Sequence, residues 1–69
     1  MENKFAERIK ELRKENGWTQ EQLASFLGYK RSAISEWETR NKEPVFDTLI
    51  QISKLFGVTI DYLLGNEDY

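Results

Sequence analysis

Cysteine and histidine are both absent from this 69-residue chain, and proline occurs once. Without them the chain has no disulfide, no thiol nucleophile, and neither the commonest general base nor the usual zinc ligands. No apolar run approaches the length of a membrane span, and the stretch from Met1 to Phe5 lacks the apolar segment of a signal peptide. We therefore expect a small cytoplasmic domain that is not an enzyme, needs no metal or cofactor, and is stabilised by packing alone.

Excess positive charge is also lacking, because the formal net charge is -2. This value argues mildly against nucleic acid as a partner, since strongly basic domains are its usual signature. The charge is unevenly distributed, however: residues 1–42 contain nine of the ten Lys and Arg residues against seven acidic ones, whereas residues 43–69 contain one lysine and five acidic residues. A binding partner responds to the local field rather than to the total.

Apolar residues that recur with a period of about 3.6 predict five helices and no strand. After an amphipathic first helix, Thr19 and Gln22 have the spacing of a capping box at the start of the second helix. Gly28 is expected to end that helix, and Ile34 and Trp37 mark the buried side of the third. Two short helices then meet across a tight turn that contains glycine.

Pro44 is predicted to open the fourth helix, because the first helical position does not need its backbone N–H. Gly57 closes this helix, and a brief fifth helix follows Thr59 and ends at Gly65. We expect one domain over residues 1–65 and a polar tail over 66–69 that frays. The apolar residues assigned to the fourth helix are Phe46, Leu49, Ile50, Ile52 and Phe56.

A set of apolar residues at helical spacing is expected to form the core. Trp18 and Trp37 are interpreted as structural rather than base-stacking residues. Phe26, Tyr29 and Tyr62 have no assured place in the core and are candidates for contact with a partner. The predicted core consists of Ile9, Leu23, Leu27, Ile34, Leu49, Ile52, Phe56 and Leu63.

Several short motifs and their mutual spacing resemble the lambda-repressor-like, Cro-type (XRE) helix-turn-helix family. The resemblance covers about residues 5–64, and it implies an all-α, compact five-helix bundle in which helices 2 and 3 form a helix-turn-helix at about 19–38. It also implies sequence-specific binding of double-stranded DNA, with the third helix in the major groove of a palindromic operator, and a role as a transcriptional regulator, specifically a repressor. The motifs are Thr19-Gln20-Glu21-Gln22-Leu23-Ala24, Leu27-Gly28 and Ser32-Ala33-Ile34-Ser35-Glu36-Trp37-Glu38.

Four residues fall at or beside the family's base-contacting positions: Arg31, Ser32, Ser35 and Glu36. Arginine can bind guanine with two hydrogen bonds, serine can donate or accept, and glutamate can accept from the cytosine amino group. For Glu36 an alternative is open, because it can equally pair with Arg40 four residues later on an exposed helix face.

Phosphate contact or positioning is implied for Thr19, Gln20, Lys30, Arg40 and Lys42. Lys30 stands where a helix start favours Ser, Thr, Asp or Asn, and a cation there opposes the helix dipole. Each of Gln20, Lys30, Arg40 and Lys42 can instead be a solvated polar residue of a helix end or loop.

Members of this family usually act as two-fold dimers, so a homodimer is expected at least on DNA. Its surface is assigned to Ile60, Tyr62 and Leu64, although Ile60 and Leu64 can equally cover the domain's own core. No small-molecule ligand is evident. A different function on the same scaffold is also open: a protein-binding module of antitoxin or adaptor type, favoured by the acidic net charge and the exposed aromatic residues.

Overall fold

The computed structural model describes residues 4–67, and within that range the chain forms five α-helices and no strand. In chain order they are α1 (Phe5–Glu15), α2 (Gln20–Leu27), α3 (Arg31–Thr39), α4 (Phe46–Phe56) and α5 (Ile60–Leu64). The all-α architecture predicted from the apolar periodicity is confirmed. No helix in the described part of the chain is both long enough and apolar enough to cross a bilayer.

Local signals set the two ends of α2. The Thr19 hydroxyl accepts a hydrogen bond from the Gln22 backbone N–H at 3.1 Å, and the Gln22 side-chain oxygen accepts one from the Thr19 N–H at 2.8 Å, so the predicted capping box is present. Gly28 has a φ of 79°, a left-handed conformation in which a side chain would be strained. The Tyr29 N–H then bonds to the Ala24 carbonyl, which turns the chain sharply toward α3.

The start of α4 differs from the prediction. The structure places the helix cap at Val45 and the first helical residue at Phe46, so Pro44 lies outside the helix. The predicted apolar face is also partly wrong, because Phe46 is 83% exposed and Ile50 is 43% exposed. The reason is that α4 packs mainly against α5 and α2. These two helices cover a narrower stripe of the α4 surface than its apolar residues occupy.

The core draws buried side chains from all five helices. Seven of the eight predicted core residues are buried, and Phe56 is half-buried with its ring 5.5 Å from that of Trp18. The buried apolar residues are Phe5, Ile9, Leu12, Leu23, Ala24, Leu27, Ile34, Trp37, Leu49, Ile52 and Leu63.

Both tryptophans pack inside the domain, as predicted. Trp37 is buried and meets the rings of Phe5 and Tyr29 edge to face, at centroid distances of 6.1 and 5.3 Å. Trp18 is half-buried, and its ring lies 4.7 Å from that of Phe26. The first set of contacts ties α1 and the turn before α3 to α3, and the second ties the segment after α1 to α2.

A buried arginine holds the carboxyl-terminal segment against α1. Arg8 Nη1 donates to the backbone carbonyls of Tyr62 and Glu67 at 2.8 and 2.5 Å, and the guanidinium lies 4.2 Å from the centroid of the Tyr62 ring. The Asn66 N–H also bonds to the Asp61 carbonyl at 2.8 Å. The first two residues of the tail that was expected to fray are therefore docked, and the other two lie outside the described residues.

Candidate nucleic-acid interface

The helix pair α2 and α3 forms the most extensive helix contact in the described structure. Three residues, Gly28 to Lys30, separate the two helices. Because this turn is so short, packing of α3 on α2 and α1 determines which face of α3 remains in solvent.

One face of α3 is polar and open. It carries the side chains expected to contact bases: Arg31, Ser32, Ser35 and Glu36. Of these only Ser35 is half-buried and the others are exposed. Residues four apart are neighbours on a helix, so the four side chains lie together, while Ile34 and Trp37 point into the core.

The amino-terminal end of α3 is cationic and uncapped. Lys30 occupies the cap position with an extended backbone, and its side chain makes no capping hydrogen bond. The Ala33 N–H bonds to the Lys30 carbonyl at 3.0 Å, which leaves the backbone N–H groups of Arg31 and Ser32 available to an anion. With Lys30 and Arg31 both exposed, this end of the helix combines open N–H donors with two positive charges.

The loop after α3 brings two further cations to solvent. Asn41 adopts a φ of 55°, as expected for its left-handed turn, and the Arg40 and Lys42 N–H groups both bond to the Glu36 carbonyl. Within residues 4–67 the side chains of Lys30, Arg40 and Lys42 make no ion pair or hydrogen bond. The pairing of Glu36 with Arg40, which the sequence left open as an alternative, is not formed between these two described residues.

A chain of hydrogen bonds connects α1 to the start of α3. Glu38 accepts from Arg13 Nε at 2.8 Å, from Arg13 Nη2 at 3.1 Å and from Gln20 Nε2 at 3.0 Å. Gln20 Oε1 in turn accepts from Arg31 Nη1 at 3.3 Å, and Arg13 Nη1 donates to the Trp18 carbonyl at 2.8 Å. Gln20 therefore bridges a buried ion pair and an exposed arginine.

Burial of the Arg13–Glu38 pair fixes the geometry of this hydrogen-bond network. The Glu38 side chain is 1% exposed and that of Arg13 is 11% exposed, so the bidentate pair is shielded from water and its geometry is well defined. Because the Gln20 amide nitrogen is committed to Glu38, its oxygen faces Arg31. The network thus orients Arg31 from behind, and the Glu38 carboxylate is hidden from the exposed face of α3.

Arg13 and Glu38 were not identified from the sequence, although a signal existed. Arg13 lies four residues after Ile9 and Glu38 lies four residues after Ile34, so both fall on the buried side of an amphipathic helix. Opposite charges on apolar faces that meet in a fold are expected to pair, since an isolated buried charge is very costly.

The residues assigned to a dimer surface are only partly exposed. Ile60, Tyr62 and Leu64 are half-buried and pack against the core. Val45 and Phe46, which the sequence did not single out for this role, are 66% and 83% exposed.

The described geometry agrees with the comparison against protein families. The helix-turn-helix family model matches residues 9–63. The chain belongs to the Cro-type helix-turn-helix family. That family comprises DNA-binding transcription regulators and is not a class of enzymes.

Curated relatives of this helix-turn-helix domain include proteins named as activators and as repressors. The transcriptional activator BcrR of Enterococcus faecalis is 47% identical over 64 residues, which covers 93% of this chain and 31% of BcrR. Repressor protein C2 of Salmonella phage P22 is 38% identical over 63 residues, covering 91% of this chain and 29% of C2. The chain spans from 31% to 57% of the length of three curated relatives.

A solved structure of similar size defines the fold. The P22 c2 repressor, crystallised with a synthetic operator, superposes with a TM-score of 0.83 at 35% identity, covering 91% of this chain and 96% of the repressor chain. The helix-turn-helix domain described here is therefore lambda-repressor-like.

Proposed function

We propose that this chain binds double-stranded DNA sequence-specifically and regulates transcription, with α3 as the recognition helix in the major groove. The observation that carries the proposal is the exposed polar face of α3, which is braced from behind by Gln20 and the buried Arg13–Glu38 pair. A rigid support matters because sequence discrimination needs side chains held at a defined position on the base edges.

The residues on the exposed face have distinct roles in this proposal. Arg31 binds guanine O6 and N7 with two hydrogen bonds, and Glu36 accepts from a cytosine amino group. Ser32 and Ser35 are short hydroxyl groups that can donate or accept at neighbouring bases. The hydrogen bond that Arg31 donates to Gln20 Oε1 holds the arginine in place, so its position contributes most to specificity.

The proposed phosphate contacts surround this face. Lys30 and the open N–H groups at the start of α3 bind one phosphate, and Arg40 and Lys42 bind others from the loop. Gln20 uses one amide hydrogen on Glu38 and keeps the second for a phosphate oxygen. Thr19 contributes indirectly, because its cap fixes where α2 begins.

We infer repression as the regulatory outcome. A domain that occupies an operator inside a promoter blocks polymerase sterically, whereas activation requires a further protein contact. Relatives named as a repressor and as an activator both share this domain. In-vitro transcription from a promoter that carries the bound site therefore tests directly whether the chain lowers or raises transcription. The proposal implies a cytoplasmic protein.

Charge reversal at the recognition helix tests DNA binding. Lys30→Glu combined with Arg31→Glu should lower the affinity for a duplex selected by the wild-type chain by about tenfold or more, and should flatten the salt dependence of binding. Exposed Lys10 and Lys54 provide the matched control, because Lys10→Glu with Lys54→Glu changes the net charge equally. Equal losses of affinity in the two double variants would show that the effect comes from net charge alone, and would contradict the proposal.

Backbone chemical shifts distinguish DNA binding from the protein-binding alternative. Addition of the selected duplex should perturb residues 30–42. A module that binds proteins should instead show no duplex-dependent shifts there, and its partner should perturb the exposed Phe26 at low and high salt alike.

We also propose that two copies bind a palindromic operator as a two-fold dimer through Val45 and Phe46. An 83% exposed phenylalanine beside an exposed valine is a small apolar patch, and a two-fold axis through it would bury the patch against its own copy. Only the loop from Arg40 to Pro44 separates the patch from the end of α3 along the chain. A palindromic operator requires such a dimer to present both recognition helices on one side, about 34 Å apart.

A further inference from the structure

We propose that Tyr29 is a positioning residue for the recognition helix, acting through a hydrogen bond to Thr48 of α4. The inference rests on the proposed DNA-binding function and identifies what holds the amino-terminal end of α3 in place. Neither residue belongs to the exposed face of α3, so the effect is transmitted through the fold.

Tyr29 lies in the turn between α2 and α3 and reaches two other elements. Its hydroxyl and that of Thr48 share a hydrogen bond of 2.5 Å, and its ring meets Trp37 of α3 edge to face at 5.3 Å. Thr48 is 3% exposed, so this bond lies at the edge of the core, whereas Tyr29 is 38% exposed. One side chain thus joins the turn, the recognition helix and α4.

Few other contacts hold the start of α3 on the side toward α4. Its main helix contacts are with α2 and α1, and direct contact with α4 is slight by comparison. Lys30 provides no side-chain cap, so the first turn of α3 lacks the kind of capping hydrogen bond that fixes the start of α2. Tyr29 directly precedes this cap and is therefore placed to set the distance between the first turn of α3 and α4.

The Tyr29–Thr48 bond also links two parts of the proposed interface. Thr48 lies two residues after Phe46, the centre of the proposed dimer patch, and Tyr29 lies two residues before Arg31. Among the described residues no buried side-chain nitrogen or oxygen lacks a partner, and Tyr29 provides that partner for Thr48. Loss of the bond therefore removes this side-chain link between the recognition helix and the element that carries the dimer patch.

The test uses Tyr29→Phe, which keeps the ring and removes the hydroxyl. The probe is the duplex that the wild-type chain selects from a random-sequence pool, compared with a scrambled duplex of equal length. We expect the ratio of the two affinities to fall about 3- to 10-fold in Tyr29→Phe, because the phosphate contacts survive while the base contacts lose their register. Thr48→Val should cause the same fall, and the double variant no more than either single one.

Ser53→Ala is the matched control. Ser53 donates a hydroxyl hydrogen bond, also 2.5 Å long, to the Val58 carbonyl at the opposite end of α4. Removal of the Ser53 hydroxyl should lower the free energy of unfolding without changing the affinity ratio. Circular dichroism at the assay temperature verifies that every variant is folded, since partial unfolding would lower both affinities equally.

The outcomes separate the inference from the proposed function. If the wild-type chain selects no duplex, the proposed function fails and the inference fails with it. If the wild-type chain selects a duplex but Tyr29→Phe keeps the affinity ratio, or Ser53→Ala lowers it equally, the positioning role of Tyr29 is overturned and the proposed function stands.

Discussion

Individual charged residues on buried helix faces determine how the helices of this domain are held together. Arg8 and Arg13 both lie on the apolar side of α1. Arg8 donates to one backbone carbonyl within α5 and to one after it, and Arg13 donates to Glu38 and to the Trp18 carbonyl. A planar guanidinium with five N–H groups can satisfy several acceptors at once. These contacts have defined directions, which apolar packing alone does not provide.

Removal of the buried carboxylate should be strongly destabilising. In Glu38→Ala the Arg13 guanidinium keeps its charge in a shielded site but loses its partner, so we expect the free energy of unfolding to fall by about 3 kcal/mol or more. Urea denaturation followed by circular dichroism measures the change. Affinity for the selected duplex should also fall, because Gln20 loses the group that orients it.

A paired apolar replacement provides the control for Glu38→Ala. Arg13→Met combined with Glu38→Leu removes both charges together, so its unfolding free energy should be closer to that of the wild type than that of Glu38→Ala. A loss below about 1 kcal/mol in Glu38→Ala would show that water or another group compensates Arg13, contrary to this account.

At the scale of the elements, helices with a side-chain cap begin where local sequence predicts. Thr19 caps α2, and Thr59 caps α5 by accepting from the Tyr62 N–H at 2.9 Å. For α4, which has no side-chain cap, the predicted start was wrong, because Pro44 is compatible both with a first helical position and with the extended approach to a helix. Caps are thus the more reliable boundary signal in this chain.

The α2 cap should have a measurable effect on stability. Thr19→Ala removes the acceptor for the Gln22 N–H, so the unfolding free energy should fall by about 1 kcal/mol, while Thr19→Ser should remain near the wild type. Thermal and urea denaturation provide the measurement. Equal losses for alanine and serine would assign the effect to the threonine methyl group and not to the cap.

At the scale of the whole molecule, the distribution of charge matters more than its sum. The net charge of -2 argues against a nucleic-acid partner, yet cations that make no ion pair within residues 4–67 cluster at the start of α3 and in the loop that follows it. Screening limits the interaction between exposed charges to about 10 Å at moderate salt. The acidic residues of the segment 43–69 therefore weaken this local field only partly.

The proposed dimer makes a prediction at this scale. Phe46→Ser should weaken self-association in sedimentation equilibrium and lower affinity for a palindromic duplex, with little effect on binding to a single half-site. The fold should persist, since Phe46 is 83% exposed. Ile50→Ser, at a less exposed position further along α4, is the comparison variant. Unchanged association in Phe46→Ser would place the dimer surface elsewhere.

By itself the sequence determined the five helices, the capping box at Thr19, the glycine turn and seven of the eight predicted core residues. These features depend on contacts within about one helical turn or on the periodicity of apolar residues. Both can be recognised in the amino-acid sequence alone. Only the tertiary structure decided that Phe46 stays exposed and that Arg13 pairs with Glu38, because both depend on which helix faces meet. Such pairings join residues far apart in the chain, and helical spacing alone does not specify them.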